Sequence, residues 1–236
     1  MEFKLENPPI NLGADISVKS FQMIENELKN YKKTTQFSNQ ELQIISRLIH
    51  TTSCFDEVLD NIYFSKDAIE KTKSLLLKKA KIIVDVNMIK VGLSKFYLNK
   101  YENEVICYIN EPFTYEMAEK NQTTRSYAAV VEAIKRHKDS PLILACGNAP
   151  TFIYAAIRTL IEEKIDLNNV ALLLFPVGFV NVIESKEYGK KFSEHFGVSS
   201  IIMQGRFGSS TMSVATLHAL YKLIKDYDGD EKYNGK

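Results

Sequence analysis

The apolar positions follow two patterns, and the change between them divides the chain. Up to about residue 77 they recur three and four apart. Residues 17–31 put Phe21, Ile24 and Leu28 on one helical face. Ser38, with Glu41 three residues on, has the form of a capping box. The helix it opens turns Leu42, Ile45 and Ile49 inward and ends near His50. Residues 65–77 read as a third capped amphipathic helix. From residue 82 onward short apolar runs take over, at 82–86, 104–109, 142–146, 170–175 and 200–203. Several are continuous rather than alternating, as expected of strands covered on both faces. Helical patterns lie between and after them, at 115–120, 123–137, 150–163, 181–196 and 210–226. This alternation predicts an α/β fold: a mostly parallel central sheet flanked by helices, with an N-terminal helical extension packed against it. No repeat or linker interrupts the pattern, so residues 1–236 are expected to form one domain with a frayed polar tail at 227–236.

Composition narrows the function classes. At 236 residues and 45% hydrophobic content, a sizeable core is available. The formal net charge is +1, from 30 basic and 29 acidic residues. No global field favours nucleic acid or an anionic membrane, so an anionic ligand must be met by local basic groups. Cys54, Cys107 and Cys146 are far apart and form no CxxC pair. That excludes a zinc signature or a disulfide framework and suits a reducing cytoplasm. The N-terminus has no apolar signal region. The longest apolar run, 170–180, contains Pro176 and Gly178 and is too short to span a bilayer. A soluble cytoplasmic protein is expected.

The segment from Arg47 to Asp56, Arg-Leu-Ile-His-Thr-Thr-Ser-Cys-Phe-Asp, sets His50 at the end of an apolar helix among hydroxyl and carboxylate groups. A histidine placed so can exchange protons near neutral pH, although most helix-end histidines only face solvent. In open α/β sheets ligands bind beyond the carboxyl ends of the strands, and three exits stand out. The first, Cys146 to Thr151, allows a tight turn at Gly147, a cap at Asn148 and helix amides that could receive an anion. The second, Phe175 to Asn181, offers Gly178 for close approach and Phe179, more often core than ligand platform. The third, Gly205-Arg206-Phe207-Gly208-Ser209-Ser210, makes a carboxylate cradle but lacks a P-loop ending. Arg125 opens a further helix after Thr123-Thr124, where the dipole disfavours a cation and an anionic partner would compensate. His137, His195 and His218 are weaker candidates; His218 lies inside an amphipathic helix, where core or surface is the default. No histidine spacing makes a metal site.

Taken together, these pieces resemble the precorrin-8X methylmutase family of corrin biosynthesis, and more closely its cobalt-precorrin-8 branch. The resemblance runs from about Lys19 to Leu223. It is carried by Lys19-Ser20-Phe21, Arg47 to Thr52, Asp85-Val86-Asn87-Met88 with Gly92, and Thr123 to Ser126. It continues through Gly147 to Thr151, Pro176 to Val180 with Glu184 to Lys186, and Gly205-Arg206 with Gly208-Ser209. Each piece is weak alone; their order is specific. The resemblance implies an α/β homodimer that moves a methyl group from C11 to C12 of the macrocycle, giving cobyrinate, or hydrogenobyrinate from the metal-free substrate. It implies His50 as the general acid and base, with Ser20, Arg47 and Arg125 contacting substrate. Thr51, Asn87, Asn148 and Arg206, in the same motifs, complete the expected substrate-binding set. No cofactor and no protein-bound metal are expected; cobalt, if present, belongs to the substrate. Two departures stand out: Lys19 replaces a common arginine, and the loop at 205–210 lacks the second arginine and second glycine of the usual form.

The residues agree with this chemistry. A flat ring edged with carboxylates needs apolar walls with scattered arginine, hydroxyl and backbone donors. A methyl shift needs no nucleophile and no methyl donor, only a proton that makes the conjugated system electron-poor. Other readings stand beside it: a tetrapyrrole carrier without chemistry, and a hydrolase using Cys54 or Cys146. A methyltransferase using S-adenosylmethionine lacks its glycine-rich loop here.

Overall fold

The computed structural model describes residues 13–227. The tail expected at 227–236 falls almost wholly outside the described residues. Six strands form one sheet: β1 (Ile62–Phe64), β2 (Lys81–Val84), β3 (Glu104–Ile106), β4 (Leu142–Cys146), β5 (Val170–Leu174) and β6 (Ser199–Met203). Their order is β1-β6-β5-β4-β2-β3. Five are parallel, and β1 pairs antiparallel with β6 at the edge. The mostly parallel sheet is as expected.

The continuous apolar runs have a direct reason. In β4, Leu142, Leu144 and Cys146 enter one core, while Ile143 and Ala145 enter the other. Each side chain of a central strand is therefore buried, on alternate faces. One face carries α8 (Arg125–Arg136), α9 (Pro150–Glu162) and α10 (Val182–Phe196). The other carries α4 (Ala68–Leu77) and α11 (Ser210–Tyr227). The N-terminal helices α1 (Gly13–Leu28) and α2 (Asn39–Thr52) join that second core, with α2 packed on α11.

The capping box at α2 forms as expected: the Ser38 hydroxyl accepts from the Glu41 amide at 3.3 Å, and the Ser38 amide donates to the Glu41 carboxylate at 2.7 Å. The expected helix at 65–77 starts later, at Ala68. Ser65 instead extends the pairing with β6, its amide donating to Ser200 O at 2.9 Å and its hydroxyl accepting from the Ser200 amide at 2.8 Å. One short strand and three short α-helices were not anticipated: β1, α3 (Phe55–Asn61), α5 (Asn87–Gly92) and α6 (Lys95–Lys100). None is long enough to show a period. Helix α7 (Pro112–Lys120) begins three residues earlier than its pattern suggests, with Pro112 in its first turn.

The strand order creates a switch point. From β2 the chain passes to β3 on one side, then returns to β4 on the other. Ligand crevices in open sheets form where the order reverses.

Candidate active site

Three helices each turn an i, i+3, i+4 stripe toward one cavity of about 540 Å³. From α2 come Arg47, His50 and Thr51; from α5, Met88, Val91 and Gly92; from α11, Thr211, Val214 and Ala215, continued by His218. Both α5 and α11 follow carboxyl ends of strands, so the cavity lies at that end of the sheet. Gly92 permits the approach of α5 to α11, since a Cβ there would meet Val214 Cγ2 at 2.8 Å.

His50 is held from two sides by α1. Ser20 Oγ lies 2.9 Å from its Nδ1, and Phe21 stacks on its ring at 4.7 Å and 20°. Phe21 also carries the Arg47 guanidinium 5.7 Å from its centroid and Lys222 Nζ at 5.9 Å. Arg47 also borders an adjoining cleft of about 480 Å³ between α1, α2 and α11. Partial desolvation, then the charges of Arg47 and Lys222, hold the His50 pKa below its ordinary value. Asp56, six residues on, is not among the groups that act on it. Thr51 lines the cavity while its hydroxyl donates to Arg47 O at 2.9 Å.

Asn87, Arg125, Asn148 and Arg206 are not among the residues that line this cavity. Asn87 opens α5, directly before Met88. Arg125 opens α8 and donates from Nη1 to the Tyr115 hydroxyl at 2.7 Å, with its guanidinium over that ring at 5.0 Å. The tyrosine face compensates the cation at this helix start. Thr124 Oγ1 meets Thr151 Oγ1 at 2.7 Å, so the α8 and α9 starts adjoin. Arg206 lies over Phe179 at 5.5 Å. Phe179 is 83% exposed and is not core, contrary to the default expectation for it. The loop carrying Arg206 is fixed by buried Lys186, whose Nζ donates to Gly205 O at 2.9 Å and Phe207 O at 2.8 Å. Burial lowers this lysine to about 8. Gly208 must be glycine here: a Cβ would lie 2.3 Å from Phe175 O.

The switch point holds a correction. The amides after β4 were expected to be open to a ligand anion. Asp85, at the end of β2, takes them: Gly147 N donates at 3.0 Å, and Asn148 N and Ala149 N at 2.7 Å each. Asn148 does not cap α9; Ala149 is its N-cap residue, and the anion comes from the adjacent strand. The Asn148 side chain stays exposed. Burial pushes the Asp85 carboxyl up, and the three amides draw it back. Beside it, burial and Asp85 raise the Cys146 thiol well above its ordinary value. A thiol so held is protonated and inaccessible, the opposite of a nucleophile. Cys54 is partly buried and donates to Thr52 O at 3.2 Å.

A family model described as CbiC, precorrin-8X methylmutase, matches residues 15–223. The chain belongs to the precorrin-8X methylmutase family. Its members are methylmutases, isomerases of cobalamin biosynthesis. The cobalt-precorrin-8 methylmutase of Priestia megaterium is 33% identical over 236 residues, covering 98% of this chain and 99% of that protein. That of Leptospira interrogans is 34% identical over 218 residues, with 90% and 94% covered. The crystal structure of precorrin-8X methylmutase from Thermus thermophilus superposes with a TM-score of 0.75 at 32% identity, covering 90% of this chain and 98% of that one.

Within this methylmutase, sequence reasoning ranked His218 as a weaker candidate and missed Lys222 and the capping role of Asp85. A signal for the first two was present: residues 211, 214, 215, 218 and 222 form one helical stripe. The role of Asp85 had none, because its partners lie 62 to 64 residues away. Among the described residues, no cluster of three His, Cys, Asp or Glu could hold a metal, and no helix is long and apolar enough to cross a membrane.

Proposed function

We propose that this chain moves the C11 methyl group of cobalt-precorrin-8 to C12, giving cobyrinate, with His50 as the general acid and base. The observation that supports this most is the His50 ring held at the cavity by Ser20 and Phe21, with the Arg47 guanidinium over Phe21. A serine hydroxyl can donate to a neutral Nδ1 and accept from a protonated one. Ser20 can therefore hold the ring in both states, leaving Nε2 to exchange the proton. The imidazolium protonates the conjugated ring near the migration site. The methyl moves with its bonding pair to the adjacent electron-poor carbon, and Nε2 then recovers the proton. The reaction is an isomerisation, balanced without oxidant, cofactor or methyl donor, and cobalt travels as part of the substrate.

Arg47 and Lys222 suit the carboxylates that edge the macrocycle, and Met88, Val91 and Val214 supply apolar wall. Asn87, Arg125, Asn148 and Arg206 would reach the same substrate from the neighbouring strand exits. The cobalt-precorrin-8 methylmutases that are 33% and 34% identical to this chain favour the metallated substrate. The metal-free substrate remains the second reading, since a precorrin-8X methylmutase of Sinorhizobium is 32% identical over 208 residues. The enzyme is read as cytoplasmic, in keeping with three free cysteines.

The homodimer reading is supported by a contiguous exposed apolar strip, Phe179 with Val177 and Val180, beside Arg206. Sedimentation equilibrium is expected to give twice the 26.9 kDa chain mass; a monomer at micromolar concentration would remove this reading.

The function is tested by anaerobic incubation with carbon-13-methyl cobalt-precorrin-8 and product NMR, because isomerisation leaves mass unchanged. The methyl signal is expected to move from C11 to C12 over many turnovers. Tight binding with an unmoved methyl would make the protein a carrier. Metal-free substrate run alongside identifies the preferred route.

A further inference from the structure

We infer that His218 is a second substrate-binding histidine, acting as a neutral donor that presents Nδ1–H to a peripheral carboxylate of the macrocycle. The inference rests on the corrinoid reading above and adds a residue to that site.

The argument starts from a backbone amide. Ser94, just before α6, donates its N–H to His218 Nε2 at 3.0 Å. A backbone amide can only donate, so Nε2 must offer its lone pair. The proton of the neutral ring is therefore on Nδ1. Turning the ring over would put a carbon against the Ser94 amide and leave that amide unpaired. The tautomer is thus set by the fold.

The environment keeps the ring neutral. Burial, then the charges of Arg47 and Lys222, lower His218 to about 4. Tyr97 lies against the ring at 6.0 Å. His218 shares the cavity with His50 and Arg47, and no described residue accepts from its Nδ1.

In the open cavity water can satisfy that N–H. A macrocycle that displaces the water must bring its own acceptor or leave a donor unpaired, which is unfavourable. The carboxylates of the substrate are such acceptors, and Arg47 and Lys222 draw one toward this side. The same geometry rules out the other use of a neutral histidine near a cobalt complex. Nε2 is occupied and Nδ1 carries a proton, so neither is free to ligate the metal.

Two substitutions separate these atoms. His218→Gln places an amide oxygen near the Nε2 position, keeping the Ser94 contact and removing the Nδ1 donor. His218→Asn places an amide N–H near the Nδ1 position and drops the Ser94 contact. His218→Gln is expected to keep its Tm while KM for cobalt-precorrin-8 rises about tenfold, with kcat falling much less. His218→Asn is expected to lose Tm but hold KM within about threefold. A purely structural role predicts the reverse ranking in KM and would overturn the inference, as would an unchanged KM in His218→Gln. Titration with cobyrinate tests the same ranking through Kd, independently of turnover. If the wild type binds but does not turn over, the catalytic reading fails and the His218 ranking is still decided. Nitrogen splitting in the electron paramagnetic resonance of bound cobalt(II) product, lost in His218→Gln, would mark a ligand instead of a donor.

Discussion

His50→Ala is expected to lower kcat by about 10²–10⁴-fold, the usual contribution of a general acid or base, while Kd for cobyrinate changes by less than about threefold. The two effects separate because the groups proposed to hold carboxylates, Arg47 and Lys222, are distinct from the proton donor. Alanine also leaves Phe21 and Arg47 stacked as they are, so the cavity wall persists. Rapid-quench turnover with the labelled substrate and a parallel absorbance titration measure the pair. Equal losses in both would make His50 a binding residue.

The same residue carries a pH signature. In the free enzyme desolvation, Arg47 and Lys222 depress the His50 pKa, so the reactive imidazolium is scarce at neutral pH. On acidification kcat/KM should therefore rise until pH passes below that depressed value. Substrate carboxylates beside Arg47 and Lys222 offset two of the three causes. The alkaline limb of kcat, which reports the complex, should lie at higher pH than that of kcat/KM. Lys222→Met should raise the free-enzyme pKa of His50, read by proton NMR of the ring. Superimposed limbs would mean that the bound carboxylates lie elsewhere.

Asp85→Ala is expected to be the most destabilising single change. It leaves the Gly147, Asn148 and Ala149 amides without the carboxylate they share at 2.7 to 3.0 Å. Each buried amide left without its acceptor costs about 1–3 kcal/mol. At roughly 2–4 °C per kcal/mol for a chain of this size, Tm falls by about 10 °C or more. The vacated amides form an anion nest at the α9 start, so formate should raise the Tm of the variant more than that of the wild type. A Tm within two degrees of wild type would mean that these amides do not depend on Asp85.

Several of these features were readable before the fold. The box at Ser38 and Glu41 is local, formed by a side chain and an amide three residues apart, and it formed as read. Strands β4, β5 and β6 stood out because both of their faces are buried, which leaves unbroken apolar runs. His50, Arg47 and Thr51 sit on one helical stripe, so their shared face followed from spacing. By contrast β1 has three residues and owes its existence to β6, more than 130 positions later, so no local pattern marks it. Ser65 looked like a helix cap because its hydroxyl could serve that end; the sheet edge claimed it instead.

The sequence by itself determined the fold class, the helix carrying His50 and Arg47, and the set of motif loops at the strand exits. These depend on periodicity and on turn chemistry within a few residues. Only the tertiary structure decided which of those groups meet. It brought α1 over His50, placed His218 beside it with its tautomer held by Ser94, and filled the switch-point amides with Asp85. The reason is physical: a side chain's hydrogen-bond partner, burial and charge state come from groups distant in sequence. They exist only once the sheet order and the packing of α11 have been formed.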